Sequence, residues 1–171
     1  DVLVHRWRSE EQAIMVGSRT VVNDDPRLNV RHVAGRSPLR VVLDRNAASP
    51  AGSKVFTDGA PTLLFTTEQR SGLTVEQCLI DLNDAPLETV LKELHRRKAR
   101  SVLVEGGGEL LTHFMRTGLW DEAREIVGDV LLQHGTPAPR MAKPPTRSIT
   151  SDVDRIHFYA HQTIPDAAWS W

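Results

Sequence analysis

Four short, largely apolar runs constrain this chain more than any other feature. Ala13-Ile14-Met15-Val16-Gly17, Leu39-Arg40-Val41-Val42-Leu43-Asp44, Thr62-Leu63-Leu64-Phe65-Thr66-Thr67 and Ser101-Val102-Leu103-Val104-Glu105 lack the apolar/polar alternation of a half-solvated strand. Strands of that kind must be covered on both faces, which is the condition inside a parallel α/β sheet. Gln77–Leu82 is a weaker candidate strand. Between these runs, residues 85–98 read as a helix: Asp84 and Pro86 suit its first turn, and Leu87, Val90, Leu91 and Leu94 share one face. Arg96, Arg97 and Lys98 complement the dipole at its far end. A second helix is expected from Glu109 to Thr117, with Leu110, Leu111, Phe114 and Met115 on one face and Gly118 as its stop. Ala123–Leu132 and Ile156–Ala160 read as late strands, separated by an irregular Pro-rich stretch from Gly135 to Arg147. The order β-β-β-α-β-α-β implies an α/β fold with a mostly parallel sheet and helices on its faces.

Composition narrows the partners. The 171 residues carry 21 Lys+Arg against 22 Asp+Glu, so no bulk charge attracts a nucleic acid or an acidic membrane. No apolar stretch is long enough to span a bilayer, and no signal-peptide pattern opens the chain. A single cysteine, Cys78, allows no internal disulfide and lies in an apolar run, as a buried structural thiol would. These features point to a cytoplasmic globular domain. The chain starts at Asp1 without Met, which suggests part of a longer protein.

Two stretches carry candidate chemistry. In Val104-Glu105-Gly106-Gly107-Gly108-Glu109-Leu110-Leu111 a strand runs through glycines into a helix N-terminus. Free backbone N–H groups and the helix dipole there favour a phosphate or pyrophosphate, and glycines let it approach. The spacing is neither the Rossmann nor the Walker A pattern, and a glycine turn with no ligand stands as the alternative. Glu105 ends an inner strand, where α/β folds place their ligands. The second stretch, Ala13 to Arg31, collects Thr20, Asp24, Asp25, Pro26 and Arg31 into a loop after the first strand. Asp-Asp-Pro is ordinary turn chemistry, with paired carboxylates as the sharper reading. Arg8 and Arg31 suit a bidentate clamp on phosphate, against the plainer fate of solvated arginines. His157 and His161 lack the further ligands of a zinc site, so no metal is expected. Trp7 and Trp120 read as core residues, and Trp169 and Trp171 as a loosely packed tail.

Taken in register, these blocks resemble the reductase domain of the bifunctional riboflavin-biosynthesis deaminase/reductases, within the dihydrofolate-reductase-like superfamily. The matching residues are His5-Arg6-Trp7-Arg8, Ala13–Gly17, Thr20, Asp24–Leu28, Val30-Arg31, Pro38–Asp44, Val104–Gly107 and Gly118–Glu122. The resemblance implies a three-layer fold over one reductase domain spanning residues 1–171. It implies NADPH-dependent reduction of 5-amino-6-(5-phosphoribosylamino)uracil, with hydride delivered to the sugar C1′. Carried over residue by residue, Arg8, Leu28, Arg31 and Glu105 are substrate-binding positions, with Arg8 and Arg31 on the phosphate and Glu105 as the candidate catalytic group. Thr20, Asp24, Gly106, Gly107, Gly108, Glu109, Leu110, Leu111 and Thr112 are the NADPH-contacting positions. A homodimer, and an N-terminal zinc deaminase domain in the full-length protein, are likewise implied.

The chain also departs from the family pattern. The opening strand with its Ser-x-Asp-Gly turn has no counterpart here, nor has the deaminase half. Arg45 replaces a serine common beside the cofactor, and Arg124, Glu125 and Asp129 put charge into a usually apolar segment. A non-catalytic support domain of the same fold, and a reductase for another pyrimidine or pteridine, are the rival readings.

Overall fold

The computed structural model describes residues 2–81, 86–130 and 134–161. The chain divides into two compact units, residues 1–111 and 112–171. The first contains α1 (Val2–Glu10), β1 (Ala13–Gly17), α2 (Ser18–Asp24), β2 (Leu39–Leu43), α3 (Lys54–Thr57), β3 (Thr62–Thr66), β4 (Glu76–Leu79), α4 (Pro86–Arg96) and β5 (Val102–Gly106). The division falls within α5 (Gly108–Thr117), and β6 (Glu122–Val127), β7 (Arg147–Ser151) and β8 (Asp154–Ala160) belong to the second unit.

The five strands of the first unit form one parallel sheet in the order β4-β3-β2-β1-β5. The continuous apolar runs explain the middle of that order. Ala13, Ile14, Met15 and Val16 of β1 are wholly inaccessible, as are Val41, Val42, Leu64 and Phe65 on its neighbours. Side chains from both faces of such strands are covered, so the runs need no polar alternate. Ile14, Val16, Val21, Leu28, Val42, Val55, Phe56 and Leu64 form one packed cluster, each large aliphatic contributing about 1.5–3 kcal/mol by leaving water.

The chain builds outward from β1 through β2, β3 and β4, then returns to place β5 on the other side of β1. The reversal of order lies between β1 and β5. In open α/β sheets the crevice beyond the carboxyl ends of the strands at such a reversal is where ligands bind.

Several sequence expectations need adjustment. The residues Thr20 and Asp24, expected in a loop, lie on α2. Its Val, Thr, Asn and Asp are weak helix formers, and seven residues give too little periodicity to read. The helix α1 and the strand β7 carry no sequence expectation at all; β7 is exposed along its whole length, so it has no apolar pattern. The helix expected over 85–98 is described from Pro86 and closes at Arg96. Lys98 adopts a left-handed φ of 66°, donating its N–H to His95 O while Ala99 N–H bonds Leu94 O. That is a Schellman closure with lysine in place of glycine. Ala85 lies outside the described residues. The fourth strand falls one residue earlier than expected and ends at Leu79, and β6 stops at Val127, with Leu131 and Leu132 outside the described residues. The late strands do not extend the parallel sheet: they form a separate antiparallel sheet in the order β6-β8-β7.

Candidate functional site

The ends of β1 and β5 are built alike. At β1, Gly17 passes directly into α2; at β5, Gly106 is followed by Gly107, whose carbonyl accepts the Leu111 N–H and so opens α5. Two helices therefore start at the carboxyl ends of adjacent parallel strands. The first-turn N–H groups of any helix lack intrahelical acceptors, and here two sets are brought together. Thr20, on α2, faces the glycine turn. A Cβ added at Gly107 would stand 3.4 Å from its Oγ1, and one added at Gly106 would stand 3.7 Å away. Gly106 also takes φ +143°, a conformation L side chains rarely adopt, and joins Gly107 through a cis peptide. Among the other residues expected at the cofactor, Leu110 packs near Gly17, and Glu109 meets Arg19 at 3.4 Å with both side chains largely in solvent. Asp24 is exposed at the end of α2, and Thr112 is exposed as the first residue of the second unit.

Glu105 owes its position to an irregular ladder. Met15 pairs with Val104 but Val16 pairs with Gly106, leaving Glu105 as the extra residue on β5. A bulge of this kind re-aims a side chain that would otherwise continue the ladder. The Glu105 carboxylate receives both edges of the Arg8 guanidinium, Nε to Oε1 at 2.6 Å and Nη2 to Oε2 at 2.5 Å. The two side chains are 13% and 18% exposed, so the pair is screened from bulk solvent but still reachable from it. Arg8 sits on α1, and its remaining Nη1 donates to Asn29 O at 3.2 Å. Its fork is thus directed at Glu105 and Asn29.

Arg31 is different. It is exposed, and its Nη1 donates to Asn29 Oδ1 at 3.2 Å. Its backbone N–H donates to Nδ1 of His5, at 3.2 Å. His5 is 3% exposed and meets the His32 ring edge-on at 4.5 Å. Burial, then the cations Arg8 and Arg31, hold its pKa below the ordinary histidine value. The sequence places His5 only within the His5-Arg6-Trp7-Arg8 block, with no role of its own, and offers no signal for Asn29 beyond its proximity to Arg31.

Leu28 is 2% exposed and belongs to the core cluster, with a left-handed φ of 54°. Burial of its side chain offsets a backbone conformation that costs about 1 kcal/mol for a non-glycine residue. Asp25, the second carboxylate of the Asp-Asp-Pro turn, is structural. It caps α2 in a left-handed conformation, accepts the Lys54 N–H at 2.7 Å and pairs with Lys54 Nζ at 3.0 Å.

The remaining candidates lie elsewhere. Cys78 is half-buried on β4, and desolvation raises its pKa, which keeps it a thiol at neutral pH. His157 shares a 2.7 Å hydrogen bond with Ser148, while His161 packs against Trp120. Trp7 and Trp120 are half-buried rather than core residues, and Trp169 and Trp171 lie outside the described residues. Among the described residues no helix is long and apolar enough to cross a membrane.

Known proteins are similar to this chain in sequence and fold. The family model described as the RibD C-terminal domain matches residues 2–149. The riboflavin biosynthesis protein RibD of Chlamydia pneumoniae is 40% identical over 129 residues, covering 66% of this chain and 34% of the relative. The 2,5-diamino-6-ribosylamino-4(3H)-pyrimidinone 5′-phosphate reductase of Archaeoglobus fulgidus is 32% identical over 147 residues, covering 76% of this chain and 67% of the relative. Among solved structures, a Thermotoga maritima diaminohydroxyphosphoribosylaminopyrimidine deaminase/5-amino-6-(5-phosphoribosylamino)uracil reductase superposes with a TM-score of 0.78 at 28% identity. That match covers 91% of this chain and 47% of the other, so this chain spans under half the length of the two-activity protein.

Proposed function

The chain belongs to the RibD C-terminal domain family, and from that premise we propose that it is the reductase part of a longer cytoplasmic riboflavin-biosynthesis enzyme. Its reaction is the NADPH-dependent reduction of 5-amino-6-(5-phosphoribosylamino)uracil to 5-amino-6-(5-phosphoribitylamino)uracil. The observation that carries this reading is the juxtaposition, at the β1/β5 reversal, of a glycine turn cleared of side chains with the Arg8–Glu105 pair. The first suits a dinucleotide phosphate and the second a polar substrate beside it.

The residues present fit a nicotinamide dinucleotide. Side chains at Gly106 and Gly107 would stand against the Thr20 hydroxyl, and their absence leaves room for a phosphate oxygen beside it. When bound, the cofactor supplies a hydride. The first turn of α5 and Thr20 would hold its phosphates, with Leu110 and Leu111 beneath.

For the substrate, Arg31 presents an exposed guanidinium suited to the ribose phosphate. Glu105 faces the open-chain form of the ribosylamine, in which C1′ is doubly bonded to nitrogen. Hydride adds to C1′, the C=N π pair moves to nitrogen, and a proton completes the ribitylamine. Arg8 orients Glu105 from the side away from the substrate, which makes Glu105 a positioning acceptor for substrate hydroxyl or amine N–H groups. In the full-length protein an N-terminal deaminase domain supplies this substrate, and the enzyme acts as a homodimer.

The relatedness to the A. fulgidus reductase supports a second reading, reduction of the 2,5-diaminopyrimidinone phosphate before deamination. Loss of NADPH absorbance, measured with each pyrimidine on the full-length protein, separates the two. Turnover of the uracil with little of the diaminopyrimidinone supports the first reading, the converse supports the second, and turnover of neither rejects both.

A further inference from the structure

We infer that His5 is a positioning residue for the anion site: its neutral imidazole, accepting the Arg31 backbone N–H, fixes the segment that presents the Arg31 guanidinium to the substrate phosphate. The inference rests on the substrate reading above. His5 is buried on α1, one turn before Arg8, so the same helix that orients Arg8 also reaches the Arg31 backbone. Asn29 closes the arrangement, with its carbonyl on Arg8 and its side-chain oxygen on Arg31. The Arg31 segment is otherwise irregular, with no strand or helix from Asp25 to Pro38. A backbone hydrogen bond to a buried ring is therefore a direct constraint on where Arg31 points.

That constraint depends on one protonation state. Only a neutral imidazole with its proton on Nε2 leaves Nδ1 free to accept. Protonation would place an N–H against the Arg31 N–H and a third positive charge between Arg8 and Arg31. The groups facing the ring are Arg8 from α1, Arg31 and His32 from the irregular segment, and Glu105 from β5, the last alone favouring the cation. Burial and the three basic groups outweigh it, so the accepting form is held through neutral pH. In acid the bond is lost and the anion site loosens.

The test uses the full-length enzyme and two variants, His5→Asn and His5→Ala. An asparagine side-chain oxygen can take the place of Nδ1 but does not titrate; alanine offers no acceptor. At about pH 7.5, where the ring is neutral, His5→Ala should raise KM for the phosphoribosylaminouracil about tenfold with kcat and the KM for NADPH little changed, the size expected for one buried hydrogen bond. His5→Asn should recover most of that loss. Below about pH 6.5 the wild-type KM should climb more steeply than that of His5→Asn. The substrate phosphate titrates in both proteins, so the difference between the two curves is the His5 contribution. Equal curves, or a kcat loss in place of a KM loss, would overturn the inference.

A measurement without substrate keeps it independent of the functional reading. In protein labelled with ¹⁵N-arginine, the Arg31 amide should shift with the midpoint of the His5 ring and stay fixed with pH in His5→Asn. An Arg31 amide indifferent to His5 overturns the inference even in an active enzyme. A wild type that reduces neither pyrimidine, with the amide titration intact, instead rejects the substrate reading on which it rests.

Discussion

Two bidentate arginine–carboxylate pairs of the first unit, Arg40–Asp58 and Arg8–Glu105, are used in opposite ways. Arg40, on β2, is 1% exposed and fully engaged: it bonds Thr62 Oγ1, both Asp58 oxygens and the carbonyls of Arg27 and Ala60. It begins near the amino end of its strand and staples the connections around α3 to the sheet. Arg8 and Glu105 make an equally short pair, but at the carboxyl end of the sheet, partly open to solvent, beside a glycine turn and an exposed Arg31. Bidentate geometry alone therefore says nothing about function. What separates the two pairs is whether donors and acceptors are used up within the protein, and which end of the parallel sheet they occupy.

The largest effect should come from breaking the saturated pair. Arg40→Met takes the buried guanidinium from Asp58, which keeps only the Ala60 N–H and a longer approach of Arg27, and should lower stability by about 3–5 kcal/mol, read as a shift in the denaturant midpoint. Its pH dependence has a definite sign. The hydrogen bond from Arg40 holds the Asp58 pKa below the ordinary aspartate value, so this stabilisation is complete above about pH 4 and is lost as pH falls through the lowered value. Acid unfolding of Arg40→Met should therefore begin from a lower plateau and fall less steeply. A variant as stable as the wild type would remove the contrast between the two pairs.

Next in size is the open pair. Glu105→Gln keeps the shape of the side chain but removes the charge facing Arg8, and should cut kcat/KM for the pyrimidine about 100-fold, or about 2.7 kcal/mol in transition-state stabilisation. The thermal midpoint should move by less than that of Arg40→Met, because Glu105 is partly solvated and Arg8 retains its bond to Asn29 O. If Glu105→Gln loses stability and leaves turnover intact, both pairs are structural. Gly106→Ala tests the other half of the site. Forcing alanine to φ +143° should cost about 1–3 kcal/mol of stability and raise the KM for NADPH about tenfold, while the KM for the pyrimidine changes little.

The contrast also accounts for what could be read from the chain beforehand. The strands β1, β2 and β3 are legible because burial on both faces makes them apolar runs, β5 because its run is apolar although only half-buried at the sheet edge, and α4 because Leu87, Val90 and Leu94 recur on the helical period. The glycine turn is legible because only glycine suits Gly106. The Arg8–Glu105 pair is not, since its members lie 97 positions apart and the bulge that aims Glu105 leaves no local signature. Arg8 as a possible phosphate clamp and Glu105 as a strand-end carboxylate are each legible on their own, and the pairing comes only with the fold. Leu28 shows the same limit: its place in the core depends on a left-handed backbone that no leucine announces. The role of His5, on a helix that carries no sequence expectation, is likewise unreadable until Arg31 is seen to bond it.

The smallest expected effect separates a strut from a ligand contact at the same turn. Arg19 on α2 and Glu109 on α5 meet at 3.4 Å, but their side chains are 75% and 80% exposed. Exposed pairs of this kind contribute about 0–1 kcal/mol, and salt screens them further. Arg19→Ala should therefore leave the denaturant midpoint nearly unchanged. Glu109 is also a proposed cofactor position, so Glu109→Ala carries a second readout. If Glu109 only pairs with Arg19, the two variants should be indistinguishable in stability and in KM for NADPH. If the carboxylate also bonds a cofactor hydroxyl, Glu109→Ala alone should raise that KM severalfold, still less than Gly106→Ala does. A charge pair with both members in solvent would then matter through what it offers a ligand and hardly at all through the fold.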